Sequence, residues 1–215
     1  MDIALNIFSS EESVEERLQQ LGLSHEHLKY AVAQGQSARN TSTPNHPTNA
    51  GGTMAFLEAV KGLRDSLLPE GWVIQNVRNL SMTVNPETNL AIVVSGGSND
   101  TGLQEGYPTT RNPKGHQTKH YLSVNQKDLF QDNVVPVNDV EDDSTNQTWL
   151  LLYCFDAKAQ EIRSELSLPT SIDSLGRVCG WNERILLKSI PLDGELIDIE
   201  PDFSPEIDID IERQT

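Results

Sequence analysis

The chain has 215 residues, with 16 Lys and Arg against 32 Asp and Glu, for a net charge of −16. At roughly 150 residues per domain, that length points to one domain with appendages. Apolar residues make up 36% of the chain, enough for one core; the composition excludes collagen, coiled coil and disulfide scaffold, and no apolar run approaches the ~20 residues of a membrane helix.

The amino terminus reaches Glu11 and Glu12 with no basic stretch before them, so no secretory signal is expected and the cytoplasm is the expected location. Ser9 and Glu12 have capping-box spacing, and Val14, Leu18 and Leu21 then recur at helical intervals. Gly22 stops that helix. Ser24 can cap a second one carrying Leu28, Ala31 and Val32 and ending near Gly35. Residues 1–35 thus read as a helical hairpin. As a DNA reader it lacks cations, since its second helix offers only Lys29.

Residues 36–52 are polar and rich in Pro and Gly, so a linker is expected. Met54, Leu57, Val60, Leu63, Leu67 and Leu68 form an apolar stripe, with Thr53 as cap. This is the principal helix. Strands are expected over 72–77, 80–84 and 90–95, the last two joined by a turn at Asn85-Pro86-Glu87-Thr88. Leu90 to Val94 is apolar on consecutive residues, so that strand should lie inside the sheet with both faces covered.

Residues 96–147 form a long polar loop, with one short helix or strand at 120–130 and a solvated acidic run at 139–143. Further strands are expected at 149–155, 161–168 and 178–190, with a turn at 157–160. Cys154 and Cys179 fall in these strands and read as reduced, buried thiols. The expected fold of 53–192 is α+β: a mainly antiparallel sheet of about six strands, with hairpins at both ends of the long loop, packed on one principal helix.

Residues 193–215 carry nine acids and one base, so half the net charge sits in about a tenth of the chain. Ile207-Asp208-Ile209-Asp210-Ile211-Glu212 alternates strictly. If extended, it has one apolar and one acidic face and suits addition to a sheet edge, its own or a partner's; otherwise it is a solvated tail. The overall charge disfavours direct nucleic-acid binding and suits a basic protein partner.

Three constellations invite chemistry. In 95–116, glycines flank Asp100 and Thr101, and Arg111, Lys114 and His116 follow, which suits a nucleotide or other phosphorylated ligand. No GxxxxGK[ST] or GxGxxG motif supports it. His116 and His120 share a helical face but lack the glutamate of a zinc-protease motif. Asp156 with Glu165 resembles a magnesium-holding pair without the expected lysine, and Glu165 opposite Arg163 or Arg184 on an exposed sheet face is the plainer account. Trp181 to Arg184 reads as an indole in the core beside an ion pair. Neither a catalytic set nor a metal nor a cofactor is expected from these spacings.

Residues 71–102, 109–115 and 165–194, with 17–35, together resemble an uncharacterised family of bacterial proteins found among accessory genes of mobile elements. The resemblance implies no activity and supplies no catalytic residues. The expected function is therefore a non-enzymatic interaction protein that binds a protein partner through an acidic surface or tail. The alternative is an enzyme or sensor that binds a phosphorylated ligand at the 95–116 loops.

Overall fold

The computed structural model describes residues 5–77, 80–114, 125 and 147–192. The expected segments at 120–130 and 139–143, the pair His116 and His120, and the carboxyl-terminal segment lie outside them, except for Asn125.

Three α-helices precede most of the sheet. Helix α1 spans Glu11–Gln20, α2 His25–Arg39 and α3 Ala50–Leu67, followed by a 3-10 turn at Leu68–Glu70. The cap of α1 is Ser10 rather than Ser9, because the Ser13 N–H donates to the Ser10 hydroxyl at 3.2 Å. Ser24 caps α2 as expected, but its reciprocal partner is a histidine. The His27 N–H donates to the Ser24 hydroxyl, while the Ser24 N–H donates to His27 Nδ1.

Gly35 does not end α2, which continues four residues to Arg39. It is a packing residue. A Cβ on Gly35 would meet the Ala55 carbonyl oxygen at 2.8 Å, and one on Gly62 would meet the Ala31 Cα at 3.1 Å. Small residues therefore let α2 and α3 approach closely, and α2 pairs chiefly with α3. The buried stripe of α3 is accordingly Ala55, Ala59, Val60, Gly62, Leu63 and Leu67, and Leu57 is 56% exposed.

The sheet has eight strands: β1 Asn6–Phe8, β2 Val73–Val77, β3 Leu80–Asn85, β4 Leu90–Gly96, β5 Gln147–Asp156, β6 Glu161–Ile172, β7 Val178–Leu186 and β8 Ile190–Pro191. Their order is β1-β7-β6-β5-β4-β3-β2, with β8 beside β6. The hairpins β2–β3, β3–β4, β5–β6 and β6–β7 are antiparallel, but β4 pairs with β5 and β1 with β7 in parallel. The sheet is thus mixed, not mainly antiparallel. A parallel neighbour needs a crossover of a dozen or more residues, and residues 97–146 provide one between β4 and β5. The expected single covering helix is also replaced by three.

Side chains alternate along each strand, so the sheet has two faces. One packs Leu90, Ile92, Trp149, Leu151, Leu166 and Ile185 against Leu18, Leu28, Leu63 and Leu67 of the helices. The other gathers Met82, Val84, Val93, Leu150, Leu152, Val178 and Trp181. Strand β4 is buried on both faces, as its unbroken apolar run requires. No described helix is long and apolar enough to cross a membrane.

Candidate functional site

The second face of the sheet carries the polar chemistry. Register pairs Leu152 with Glu165, Leu150 with Ser167, and Ser167 with Arg184. Glu165, Ser167 and Arg184 therefore stand together among aliphatic neighbours, all at 0% exposure. A buried charge is tolerated only when paired and hydrogen-bonded. Here the pairing is two-pronged. Arg184 Nη2 donates to Glu165 Oε2 at 2.6 Å and Arg184 Nε donates to Glu165 Oε1 at 3.0 Å. The Ser167 hydroxyl donates to Glu165 Oε1 at 2.7 Å.

What remains of each group's bonding capacity goes to the loop after β4. The Gly102 N–H donates to Glu165 Oε2 at 2.8 Å, and Arg184 donates to the carbonyls of Gly106 at 2.8 Å and Leu103 at 3.0 Å. Gly102 has φ +75°, and a Cβ there would meet the Arg163 Cβ at 2.8 Å, so glycine is needed for its amide to reach the carboxylate. The rest of the loop is fastened similarly. The Trp181 indole donates to the Pro108 carbonyl at 2.8 Å, and Arg163 donates to the Asn99 carbonyl at 2.8 Å. The backbone of Thr110 bonds to Val178, whose N–H also donates to the Thr110 hydroxyl. The loop is a cover clamped over the sheet by an ion pair in its middle.

Of the sequence-predicted ligand residues, Asp100, Thr101, Arg111 and Lys114 lie on this segment. The Asp100 carboxylate accepts from the Tyr107 N–H at 3.2 Å and shapes the loop. Thr101 is fully buried, and its hydroxyl has no hydrogen-bond partner among the described residues. Arg111 is held by its N–H on the Gly96 carbonyl and points its guanidinium at Cys154 Sγ, 3.9 Å away. Lys114 is fixed through its N–H on Gly176. The Asp100 carboxylate and the Arg111 guanidinium thus reach different places, the loop itself and the β5 thiol, while the Lys114 backbone is tied to the turn before β7. His116 and the partner-binding residues Ile207, Asp208, Ile209, Asp210, Ile211 and Glu212 lie outside the described residues.

Asp156 and Glu165 do not form a pair. Asp156 stands opposite Glu161 and Glu165 opposite Leu152, so four positions of the ladder, about 13 Å, separate them. Asp156 instead accepts the N–H groups of Lys158 and Ala159 and meets Arg163 at 2.9 Å. These bonds hold its carboxyl below the usual carboxylate range, chiefly through the Ala159 amide. Burial pushes the Cys154 thiol upward, and the nearby Arg111 and Arg163 offset only part of that.

Glu183 faces the helices and bonds Arg17 at 2.8 Å, whose guanidinium also lies 5.9 Å from the Trp149 ring centroid. His25 accepts the Lys188 N–H at 3.2 Å, so it joins α2 to the segment after β7 rather than facing solvent freely. Asn125 accepts the Thr148 N–H and donates to the Thr148 and Pro169 carbonyls. Its neighbours gave no sign of this role. No cluster of three or more His, Cys, Asp or Glu suited to a metal ion occurs among the described residues. No family model, curated protein or solved structure matches this chain.

Proposed function

We propose that the protein is an interaction module whose fold carries an acidic carboxyl-terminal segment, with Ile207 to Glu212 as the contact for a basic protein partner. The observation that carries this reading is the concentration of nine acids against one base in residues 193–215, arranged at 207–212 in strict alternation with isoleucine. An extended segment of that pattern offers carboxylates to a cationic surface and aliphatic groups to a strand edge at once. A supporting observation comes from the sheet. Glu165, Arg184 and Ser167 spend their bonding capacity on one another and on the loop that covers them. That is the behaviour of a structural clamp.

Capture of partners by full-length chain tests the reading. Partner bound at low salt and released at high salt, and lost in the triple variant Asp208→Asn, Asp210→Asn, Glu212→Gln, supports it. Capture unchanged by those substitutions sinks it. A nucleotide that raises the melting temperature, with the rise lost in Arg111→Ala and Lys114→Ala, would replace it with ligand binding at the 95–116 loops.

A further inference from the structure

Strand β2 is the last strand of the sheet on its side, with no neighbour beyond it among the described residues. Its sequence, VIQNV, carries none of the charges or prolines that commonly blunt an exposed edge. Its closing pair with β3, Val77 and Leu80, brackets two residues, as in a two-residue hairpin. In such a hairpin the closing pair is hydrogen-bonded and bonded pairs alternate, so Ile74 and Asn76 turn their backbone N–H and C=O outward. Val73 and Ile74 point to opposite faces and are 45% and 48% exposed.

The two faces at this edge differ. On the helix side, Arg64 of α3 donates to Asn76 Oδ1 at 2.8 Å. Its Nε is buried without a partner, and no carboxylate pairs with it among the described residues. On the other side, Val77 packs against the second core, in line with the half-exposed Val73. Ile74 shares the Arg64 face and Gln75 the Val73 face, so a strand laid beside β2 would be matched by a carboxylate at Arg64 on one face and by aliphatic side chains at Val73 and Val77 on the other.

We propose that in the absence of a partner Ile207–Glu212 of this same chain occupies that edge as an added strand. Ile207, Ile209 and Ile211 would lie along Val73 and Val77, and one of the alternating carboxylates would meet Arg64. The reach is ample. From Leu192 to Ile207 there are fifteen residues, able to span about 50 Å when extended. Strand β8 lies in line with β7 beside β6, five strand spacings from β2, or about 24 Å. The proposal rests on the assignment of 207–212 as the contact segment and adds that the segment is held in reserve, so that a partner competes with β2 for it.

Amide hydrogen exchange on the full-length chain tests this. The comparison is with full-length Ile207→Ser, Ile209→Ser, Ile211→Ser, substitutions at the far end of the chain that keep every carboxylate. The Ile74 and Asn76 amides should be protected in the original chain and exchange at least tenfold faster in the variant, while amides of β4 stay unchanged. Exchange of Ile74 and Asn76 at unprotected rates in the original chain, or equally slow exchange in both, would overturn the proposal. Protection that grows with protein concentration, with a dimer in sedimentation velocity, would assign the edge to a second copy instead. The outcomes separate from those of partner capture: unprotected β2 amides with capture intact defeat only the docking, whereas protected amides with charge-independent capture defeat only the partner reading.

Discussion

Among single residues, those buried with charge or polarity have the largest consequences. Glu165 and Arg184 sit at 0% exposure and hold both each other and the loop at Gly102, Leu103 and Gly106. Removing one partner strands the other. Arg184→Met should therefore cost about 3–5 kcal/mol in urea unfolding, with part recovered in the double variant Glu165→Leu, Arg184→Met. A loss below about 1 kcal/mol for the single variant would show that the pair is not the clamp described. Cys154 is buried and its thiol is pushed upward, whereas Cys179 is partly exposed. Thiol labelling of the native protein at neutral pH should modify Cys179 first and Cys154 only on unfolding. Since the folded thiol resists ionisation more than the unfolded one, its contribution to stability falls as pH rises past the ordinary thiol value of about 8.5. Asp156 has the opposite sign. Its folded carboxyl is the stronger acid, so its contribution is present above about pH 4 and lost as pH falls through the lower folded value. Asp156→Asn should flatten the acid limb of a stability–pH curve, and an unchanged limb would contradict the turn geometry.

At the scale of elements, helix contacts and strand pairing decide the architecture. Gly35 and Gly62 bring α2 and α3 together. Gly35→Ala would gain up to about 1 kcal/mol of helix propensity, but its Cβ would stand 2.8 Å from the Ala55 carbonyl oxygen and 3.2 Å from the Ala59 Cβ. The overpacking should win, with a net loss of about 1–2 kcal/mol and a lower melting temperature. A more stable variant would show that the helices have slack. Strand positions were legible in the sequence because apolar runs and turn residues bracket them: 80–84 and 90–95 match β3 and β4 almost to the residue. Helix ends were less so. A glycine reads locally as a stop, and only the facing Ala55 and Ala59 show that Gly35 is a contact. The parallel pairing of β4 with β5 was hidden too, because hydrophobic runs reveal which strands are interior but not which neighbours they choose.

At the scale of the whole molecule, helices cover one face of the sheet, and a clamped polar loop covers part of the other. The polar pattern of β6 already contained a clue to the clamp. Arg163, Glu165 and Ser167 alternate onto one face, while the apolar strands β4 and β5 are buried on both, so those polar residues had to be covered and paired. Choosing between Arg163 and Arg184 as partner of Glu165 needed the register of β6 with β7. The candidate ligand residues were legible only as a composition of loops. Their separate partners follow from how the cover folds back on Gly96, Tyr107 and Gly176, contacts that no spacing encodes.

The proposed contact with a basic partner rests on charge at the carboxyl-terminal end. The most direct measurement is calorimetric titration of the captured partner into full-length chain and into the variant Asp208→Asn, Asp210→Asn, Glu212→Gln, each at low and high salt. Affinity should fall at least tenfold in the variant at low salt, and the difference between the two chains should shrink at high salt. Equal affinities at low salt would contradict that contact.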